Sequence, residues 1–403
     1  MEAKATAISS EQSIILSMLH GMWQNRCLSL VVGLKIPDLL CNSQESSLSI
    51  EDIAIKSGCT SSKQLYPIMK LLAQWGIGKE LENKHFAKNQ AMELLRRDKG
   101  PSLGHLVEYL CSEEHFSAMR SMAECVRNGQ QAFVLEHGMS HTDYMNDTEK
   151  CSYAKEKMFK GSSEHLIGSH ERRKEMAENH QNAMAYSSYL DLLPDIQGVN
   201  NVYTAFPWST CNRLVDMGGC SGYFLATVLQ LPGCEHIQGY VVDLPDVIDE
   251  AQQNIQNLGI PEHRIEFMKH DFTKPFSRDL QLQVDTVMFK SVMSMFIFDH
   301  GKMIEIFRHC RSLFPKEGGR ILIIDNCSPD AGDTEHNVGI NGIQIGSLSV
   351  HMLSISGLGK LSKSEWVANL KEIGSKSGYQ VTQVYDTFEG GCKVYELSCN
   401  PTL

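Results

Sequence analysis

A glycine-rich turn between an apolar strand and a helix constrains the fold of this chain more than any other feature. Residues 214–222 read LVDMGGCSG, and an apolar helical stretch runs from Tyr223 to Leu231. Glycines in such a turn adopt positive φ and let the backbone approach a ligand closely. The order of strand, turn and helix is typical of the first unit of a parallel sheet.

The glycine spacing argues against a dinucleotide as the ligand of this turn. Gly222 falls four residues after Gly218, so the third glycine of a G-x-G-x-x-G fingerprint is absent. Binding of NAD through its pyrophosphate is therefore disfavoured.

Short β-branched runs alternate with helical stretches from Arg213 to the end of the chain. The runs are 214–215, 240–242, 284–289 and 321–324. This alternation predicts a parallel sheet with crossover helices, and we expect one α/β domain over residues 206–403.

Four carboxylates recur at strand boundaries in this region. Asp216 ends the first strand, Asp243 ends the second 27 residues later, Asp271 follows the third, and Asp285 opens the fourth. A carboxylate at the end of the second strand can accept hydrogen bonds from both hydroxyls of a ribose. The four groups in this order predict a site for a cofactor of the S-adenosylmethionine (SAM) type.

The first 105 residues have the pattern of a mostly helical, winged-helix domain. Apolar side chains recur at helical spacing over 14–23, Ser49 begins a helix with acidic residues in its first turn, and 81–86 could form a wing. The candidate recognition helix, 61–74, carries only two basic residues, whereas DNA readers usually carry several. A dimerisation module is therefore favoured over DNA binding.

Composition argues for a cytosolic protein without nucleic-acid or membrane partners. The 37 basic and 48 acidic side chains of the 403 residues give a formal net charge of −11, which disfavours contact with phosphates. No apolar run reaches the roughly 18 residues of a membrane helix, and the first ten residues resemble no signal peptide. The 13 cysteines are scattered, which is typical of unpaired thiols.

The motifs together resemble the plant-type or acetylserotonin-type O-methyltransferases, which are class I SAM-dependent enzymes. The resemblance covers nearly the whole chain and rests on these segments: GMWQNRCLSLVVGLKIPDLL, LYPIMKLLAQWGI, FVLEHGMSHTDYM, LVDMGGCSGYF, VVDLPDVI, HDF and GGRILIID. It implies an α/β, Rossmann-like SAM-binding catalytic domain over 206–403. It also implies an N-terminal all-α winged-helix dimerisation domain over 1–105, a helical linker and acceptor-pocket segment over 106–205, and a homodimer that acts on a small molecule.

The resemblance also implies roles for residues at the cofactor site. Gly218 should lie against the methionine part of SAM, and Asp243 should hold the ribose hydroxyls. The other cofactor-binding candidates are Asp216, Gly222, Leu244, Asp271, Phe272 and Lys290. Of these, Leu244, Asp271 and Phe272 are expected near the adenine.

The sequence departs from the family pattern where a general base is expected. O-methylating members carry a His four residues after the position of Lys290, but this chain has Ser294. In plant-type members two carboxylates flank this His. Asp325 matches one of them with a shorter side chain, and Leu361 occupies the position of the other, where a Glu is expected. A serine hydroxyl does not act as a base near neutral pH without an activating partner.

Three reactions remain open for a site without this base. A thioether sulfur has no proton to lose, so S-methylation of a thioether acid, as in dimethylsulfoniopropionate synthesis, is favoured. A pericyclase or dehydratase that binds SAM without transferring its methyl group is the second alternative. O-methylation with a substitute base is the third, and His137, His141 and His180 are the candidates.

Further catalytic candidates lie in the middle of the chain. His137 sits in the segment EHGM, which lines the acceptor pocket in the family, and His180 and Tyr186 share a helical stretch. His137 and His141 have a spacing that can bind metal on a helix, but no third ligand is evident, so no metal is expected. The polar stretch 149–174 predicts a solvated helix or an insertion.

Overall fold

The computed structural model describes residues 9–146, 170–190, 201–256, 258–277, 282–316, 318–332, 340–387 and 392–399. The described residues form two compact units. The first contains those up to Ser117 together with 170–186, and the second contains 118–146 together with those from Ser187 onward. The three segments expected from the sequence, 1–105, 106–205 and 206–403, stay a prediction.

The helices alternate with short strands in the first third of the chain and with longer strands in its second half. The helices are α1 (Ser10–Gly33), α2 (Ile36–Asn42), α3 (Ile50–Lys56), α4 (Ser62–Gln74), α5 (Gln90–Leu94), α6 (Leu103–Leu110), α7 (Glu113–Arg120), α8 (Met122–Asn128), α9 (Ala132–His137), α10 (His141–Asn146), α11 (His170–Leu190), α12 (Val202–Ala205), α13 (Tyr223–Gln230), α14 (Pro245–Gln256), α15 (His300–Arg311), α16 (Ile340–Ser356) and α17 (Lys363–Ser377). The strands are β1 (Leu48–Ser49), β2 (Lys79–Glu80), β3 (His85–Ala87), β4 (Arg213–Met217), β5 (Gln238–Asp243), β6 (Ile265–Lys269), β7 (Thr286–Lys290), β8 (Arg320–Asn326), β9 (Tyr379–Tyr385) and β10 (Cys392–Cys399).

The first unit contains the expected winged helix. The Ser49 hydroxyl accepts a hydrogen bond from the Asp52 N–H, which satisfies a free donor in the first turn of α3. Leu65, Met69 and Leu72 of α4 are buried at helical spacing in the core of the unit. The wing pairs β3 with both β1 and β2, so this unit carries a small three-stranded sheet in addition to its helices.

The apolar stripe near the start of α1 is exposed, although its spacing is helical as expected. Met18 is 74% exposed, and the other members are similarly uncovered: Ile14, Ile15, Leu19, Met22 and Trp23. Only Val31 and Val32, near the end of α1, are buried. A contiguous exposed apolar surface of this kind marks a surface for interaction.

The second unit is built on a seven-stranded sheet of order β6-β5-β4-β7-β8-β10-β9. The five strands from β6 to β8 are parallel, whereas β10 runs antiparallel to both β8 and β9. Helices on both faces cover two apolar clusters, which is the α/β class expected from the alternating pattern. The predicted strands and the Rossmann-like fold are confirmed.

Asp285 lies away from the other three carboxylates of the sequence pattern. It precedes β7, at the end of the sheet opposite to the glycine-rich turn. Its Oδ2 accepts hydrogen bonds from the N–H groups of Asn212 and Arg213, both at 2.8 Å, and its Oδ1 accepts one from the Thr286 hydroxyl. Asp285 therefore joins the starts of β4 and β7 rather than contributing to a ligand site.

Two further expectations concern the helices. None of the helices in the described ranges is both long enough and apolar enough to span a membrane. Of the polar stretch 149–174, residues 149–169 lie outside the described residues, and 170–174 begin α11.

Candidate cofactor and acceptor site

The turn after β4 lies at the carboxyl-terminal edge of the sheet and is joined to β5. The Gly218 N–H donates a hydrogen bond to the Val242 carbonyl at 2.8 Å. Gly218 and Gly222 have φ of +71° and +73°, a region that favours glycine. A Cβ on Gly218 would lie 2.9 Å from Val292 Cγ2, and one on Gly222 would lie 2.5 Å from Ile255 Cδ1. Both backbone conformation and packing therefore require glycine here.

Asp243, the last residue of β5, holds the turn from the neighbouring strand. Its Oδ2 accepts a hydrogen bond from the Cys220 N–H at 2.9 Å, and its Oδ1 accepts one from the Leu244 N–H at 2.8 Å. Burial raises the pKa of the Asp243 carboxyl, while these two donors oppose the shift. Each carboxylate oxygen keeps capacity for a further hydrogen bond, as a ribose diol requires.

Asp216 is a buried carboxyl beside the same edge, with only 2% of its surface exposed. Burial raises its pKa to about 7, the nearby Lys290 ammonium opposes that shift, and Asp243 adds to it. The Lys290 Nζ lies 5.3 Å from the centroid of the Phe224 ring, which is within cation–π distance. Asp216 of β4 and Lys290 of β7, both expected at the cofactor site, therefore interact through their charges.

Residues of the neighbouring loops add a polar group and apolar surface. Asp271 accepts hydrogen bonds from both the hydroxyl and the N–H of Thr273. Burial raises the pKa of Asp271, but these donors and the nearby Lys274 and His270 together lower it by more, so the net shift is downward. Phe272 is half-buried with its ring edge-on to Phe289, and Leu244 remains 36% exposed. The exposed parts of both side chains can receive a flat apolar group.

Ser294 and Asp325 lie on adjoining segments at the ends of β7 and β8. Ser294 sits half-buried in a short 3-10 helix, Met293–Met295. No described residue hydrogen-bonds to its hydroxyl, so no activating base contacts it in this part of the chain. Asp325 is fully buried, and its Oδ1 lies 2.6 Å from the Lys360 Nζ.

His137 lies in an aromatic cluster of the second unit, at the end of α9. Its ring centroid is 4.3 Å from that of Phe133 and 5.6 Å from that of Tyr144, and 8% of its surface is exposed. His141 contacts the same Phe133 ring edge-on. Within the described ranges no group of three His, Cys, Asp or Glu side chains could hold a metal ion.

His180 and Tyr186 belong to the first unit, on α11. The His180 ring lies 4.8 Å from that of Tyr109, and burial lowers the pKa of His180 to about 4. Tyr186 is buried. His180 is therefore neutral near pH 7.

Sequence reasoning missed two features of this site. Cys220 has φ of +49°, a strained conformation for a residue with a Cβ, and its N–H bond to Asp243 helps to maintain it. Lys360 becomes a candidate only through its contact with Asp325, which is 35 residues away in the sequence. A lysine in a polar loop gave no signal of burial.

Comparison with known proteins identifies a family and a shared fold. A sequence model described as an O-methyltransferase domain matches residues 167–379. The chain is 23% identical to the mitomycin biosynthesis 6-O-methyltransferase of Streptomyces lavendulae, over 97% of this chain and 95% of that protein.

Two solved structures show the same fold along nearly the whole chain. The mitomycin 7-O-methyltransferase aligns with a TM-score of 0.73 and 21% identity, over 97% of this chain and 98% of the other. Human N-acetylserotonin methyltransferase, solved with SAM, aligns with a TM-score of 0.71 and 16% identity, over 98% and 99% of the two chains. Together with the family match, these structures support S-adenosylmethionine as the cofactor.

The described edge fits SAM in its chemistry. The glycine-rich turn offers exposed backbone, Asp243 offers acceptor capacity for a diol, and Leu244 and Phe272 offer apolar surface. The roles of individual residues toward SAM stay predictions.

Replacement of Asp243 by Ala should weaken SAM binding. The ribose hydroxyls would lose a charged acceptor, which costs about 1.5–3 kcal/mol, or roughly a 10- to 150-fold rise in Kd. Isothermal titration of the purified variant measures this change. Asp249→Ala is the matched control, because Asp249 follows on α14 and forms an exposed ion pair with Lys269. Equal Kd values for Asp243→Ala and wild type would exclude the assigned role.

Replacement of Asp216 by Asn should change the pH dependence of stability. The folded protein keeps the Asp216 proton up to about pH 7, whereas the unfolded chain releases it near its ordinary pKa. This residue therefore lowers the free energy of unfolding as pH rises from about 4 to 7, by at most about 1.4 kcal/mol per pH unit. The Asn side chain does not titrate, so the Asp216→Asn variant lacks this pH-dependent loss of stability.

Urea denaturation of the SAM-free proteins at pH 5, 6 and 7 measures the difference. The Asn variant should gain stability relative to wild type at each step, while Asp249→Asn, with its exposed carboxyl, should track wild type. Parallel wild-type and Asp216→Asn curves would contradict the raised pKa.

Proposed function

Because the chain belongs to the O-methyltransferase family, we propose that it transfers the methyl group of SAM to an oxygen atom of a small organic acceptor. The observation that supports this proposal most strongly is the family match over 167–379, which spans the glycine-rich turn, Asp243 and Asp325. The named mitomycin relatives are O-methyltransferases, which favours oxygen over the thioether sulfur expected from the sequence.

In this proposal the chain's residues bind and orient, and SAM when bound supplies an activated methyl group for in-line displacement. The turn Gly218–Gly222 holds the methionine part, and Asp243 accepts hydrogen bonds from the ribose. Asp271 with Leu244 and Phe272 surrounds the adenine. Lys290 fixes the end of β7 against Phe224, and His137 of the Phe133 cluster contributes to the acceptor side. Positioning of two reactants in this way can supply much of the rate enhancement.

A sulfur acceptor is the second candidate, and Ser294 is the observation that favours it. The Ser294 hydroxyl has no hydrogen-bond partner among the described residues, and a thioether needs no base. This candidate has no support among the named relatives, so it ranks second.

Methyl-transfer assays separate these candidates. Purified protein is incubated with methyl-labelled SAM and, separately, with phenols, N-acetylserotonin, hydroxy acids and thioether acids. We expect label on a hydroxyl oxygen, with one S-adenosylhomocysteine formed for each label transferred. Asp243→Ala serves as the variant impaired in SAM binding.

Each outcome has a distinct meaning. Label on sulfur alone would replace the oxygen proposal by the second candidate. SAM binding in the titration without S-adenosylhomocysteine formation would refute methyl transfer, and a non-methylating enzyme such as a pericyclase would then be favoured.

We further propose that two copies of the chain associate through the α1 stripe. The six side chains share one exposed apolar face, and the exposed fractions run from 55% to 74%. Burial of such a face removes apolar surface from water at about 25 cal/mol for each Å².

Met18→Asp should dissociate the dimer, since it would bury a charge in an apolar interface. Light scattering on a size-exclusion column should give twice the chain mass for wild type and the single chain mass for the variant. Ile55→Asp is the control, because Ile55 is 75% exposed on α3 outside the stripe. A monomeric wild type, or a dimeric Met18→Asp variant, would contradict the proposal.

A further inference from the structure

A buried ion pair lies at the carboxyl-terminal edge of the sheet, outside the cofactor turn. Asp325, near the end of β8, has no exposed surface, and the side chain of Lys360 is 6% exposed. Their Oδ1 and Nζ atoms lie 2.6 Å apart. Removal of both charges from water is costly, and their attraction offsets that cost only when further hydrogen bonds satisfy the remaining groups.

The backbone of Lys360 is held firmly beside β8. Its N–H donates to the Ser349 hydroxyl of α16 at 2.8 Å, and its carbonyl accepts a hydrogen bond from the Ser328 hydroxyl at 3.2 Å. The Ser328 N–H donates to the Leu361 carbonyl at 2.9 Å. These bonds fix the start of the Lys360 side chain, so the ammonium is directed to Asp325 by the fold.

Both members of the pair keep unused hydrogen-bonding capacity within the described part of the chain. Asp325 Oδ2 is buried without a partner there. The Lys360 ammonium has three donors, and Asp325 is the one described group that it contacts. A buried polar group left unsatisfied costs about 1–3 kcal/mol, so such groups are rare and point to a ligand.

The pair also lies beside the segment from which a base is expected. Ile324 pairs in register with Lys290, and the Ser291 N–H donates to the Ile324 carbonyl at 2.8 Å. Asp325 is therefore level with the start of the loop that leads to Ser294. Because side chains alternate along a strand, Asp325 shares a sheet face with Ile323.

Other ionisable groups surround Asp325 without competing for its free oxygen. Burial raises the pKa of both Cys327 and Tyr395, and the Asp325 charge adds to each shift. Lys393 is paired with Asp325 in register on β10, but its ammonium lies 3.5 Å from Asp386. Among the described residues, Lys360 is thus the cation that contacts Asp325.

We propose that Asp325 and Lys360 together replace the missing base and act on the acceptor hydroxyl, an inference that rests on the proposed oxygen acceptor. The Lys360 ammonium donates a hydrogen bond to the acceptor oxygen, and Asp325 Oδ2 accepts the hydroxyl proton. A hydroxyl has one O–H donor, which matches the Asp325 Oδ2 acceptor. It also has acceptor lone pairs, which match the remaining N–H donors of Lys360.

In this step the O–H bond of the acceptor breaks, and its proton moves to Asp325 Oδ2. The electron pair left on oxygen forms the bond to the methyl carbon, and the bond from that carbon to sulfur breaks with its pair on sulfur. Lys360 stabilises the charge that develops on the acceptor oxygen.

The test replaces both members of the pair, since removal of one charge alone would destabilise the fold. Asp325→Leu/Lys360→Met should keep the melting temperature and the SAM Kd near wild type. Methylation of the phenol that the wild type accepts should fall at least ~100-fold, the usual contribution of positioned proton transfer. The matched control is Lys376→Met/Glu372→Leu, an exposed ion pair of α17 at 2.7 Å, which should keep the rate within about twofold.

Two further readouts separate a catalytic pair from a structural one. Lys360→Arg keeps a cation beside Asp325, so this variant should retain more of the methylation rate than the double variant does. A pair with a purely structural role would give the two variants the same rate. With S-adenosylhomocysteine bound, added 4-nitrophenol should be more ionised, by absorbance, on the wild type than on the double variant.

The proposal is overturned if the double variant methylates a phenol at the wild-type rate. It is also overturned if the wild type methylates thioethers and no hydroxyl. A wild type that methylates neither class refutes the proposed function, and this inference fails with it. Because that failure shows in the wild type, it is distinguishable from an effect of the variants.

Discussion

The parallel pairing of β4 with β5 and β7 is the constraint on which the candidate site depends. Because the three strands run in one direction, their carboxyl ends meet at one edge and bring Asp216, Asp243 and Lys290 together. The bond from the Cys220 N–H to Asp243 then holds the glycine turn against the second strand. A shift of register by one residue would turn these side chains to the opposite faces.

Two buried carboxyl groups at this edge illustrate how environment sets chemical role. Burial raises the pKa of Asp216 to about 7, even though Lys290 is near. Asp325 is also buried, but it lies 2.6 Å from the Lys360 ammonium and forms an ion pair with it. The first carboxyl can hold a proton near neutral pH, whereas the second is one member of a buried ion pair.

Much of the fold could be predicted from the sequence, because its signals are local. The alternation of β-branched runs with helical stretches predicted the strands from β4 to β8, and Ser49 predicted the start of α3. The glycine turn was recognisable because positive φ favours glycine, as at Gly218 and Gly222. The α1 stripe was equally clear, yet periodicity does not tell which element covers a face, and in the structure the stripe is exposed.

By itself the sequence determined the α/β class, the glycine-rich turn, the carboxylates at the strand ends and the serine at position 294. Each follows from neighbouring residues and from strand geometry. Only the tertiary structure decided that Asp285 joins the starts of two strands, and that Lys360 is buried against Asp325. Such contacts join residues tens of positions apart, and burial depends on segments that pack from elsewhere in the chain. A lysine in a polar loop therefore acquires its chemistry only when the fold removes it from water.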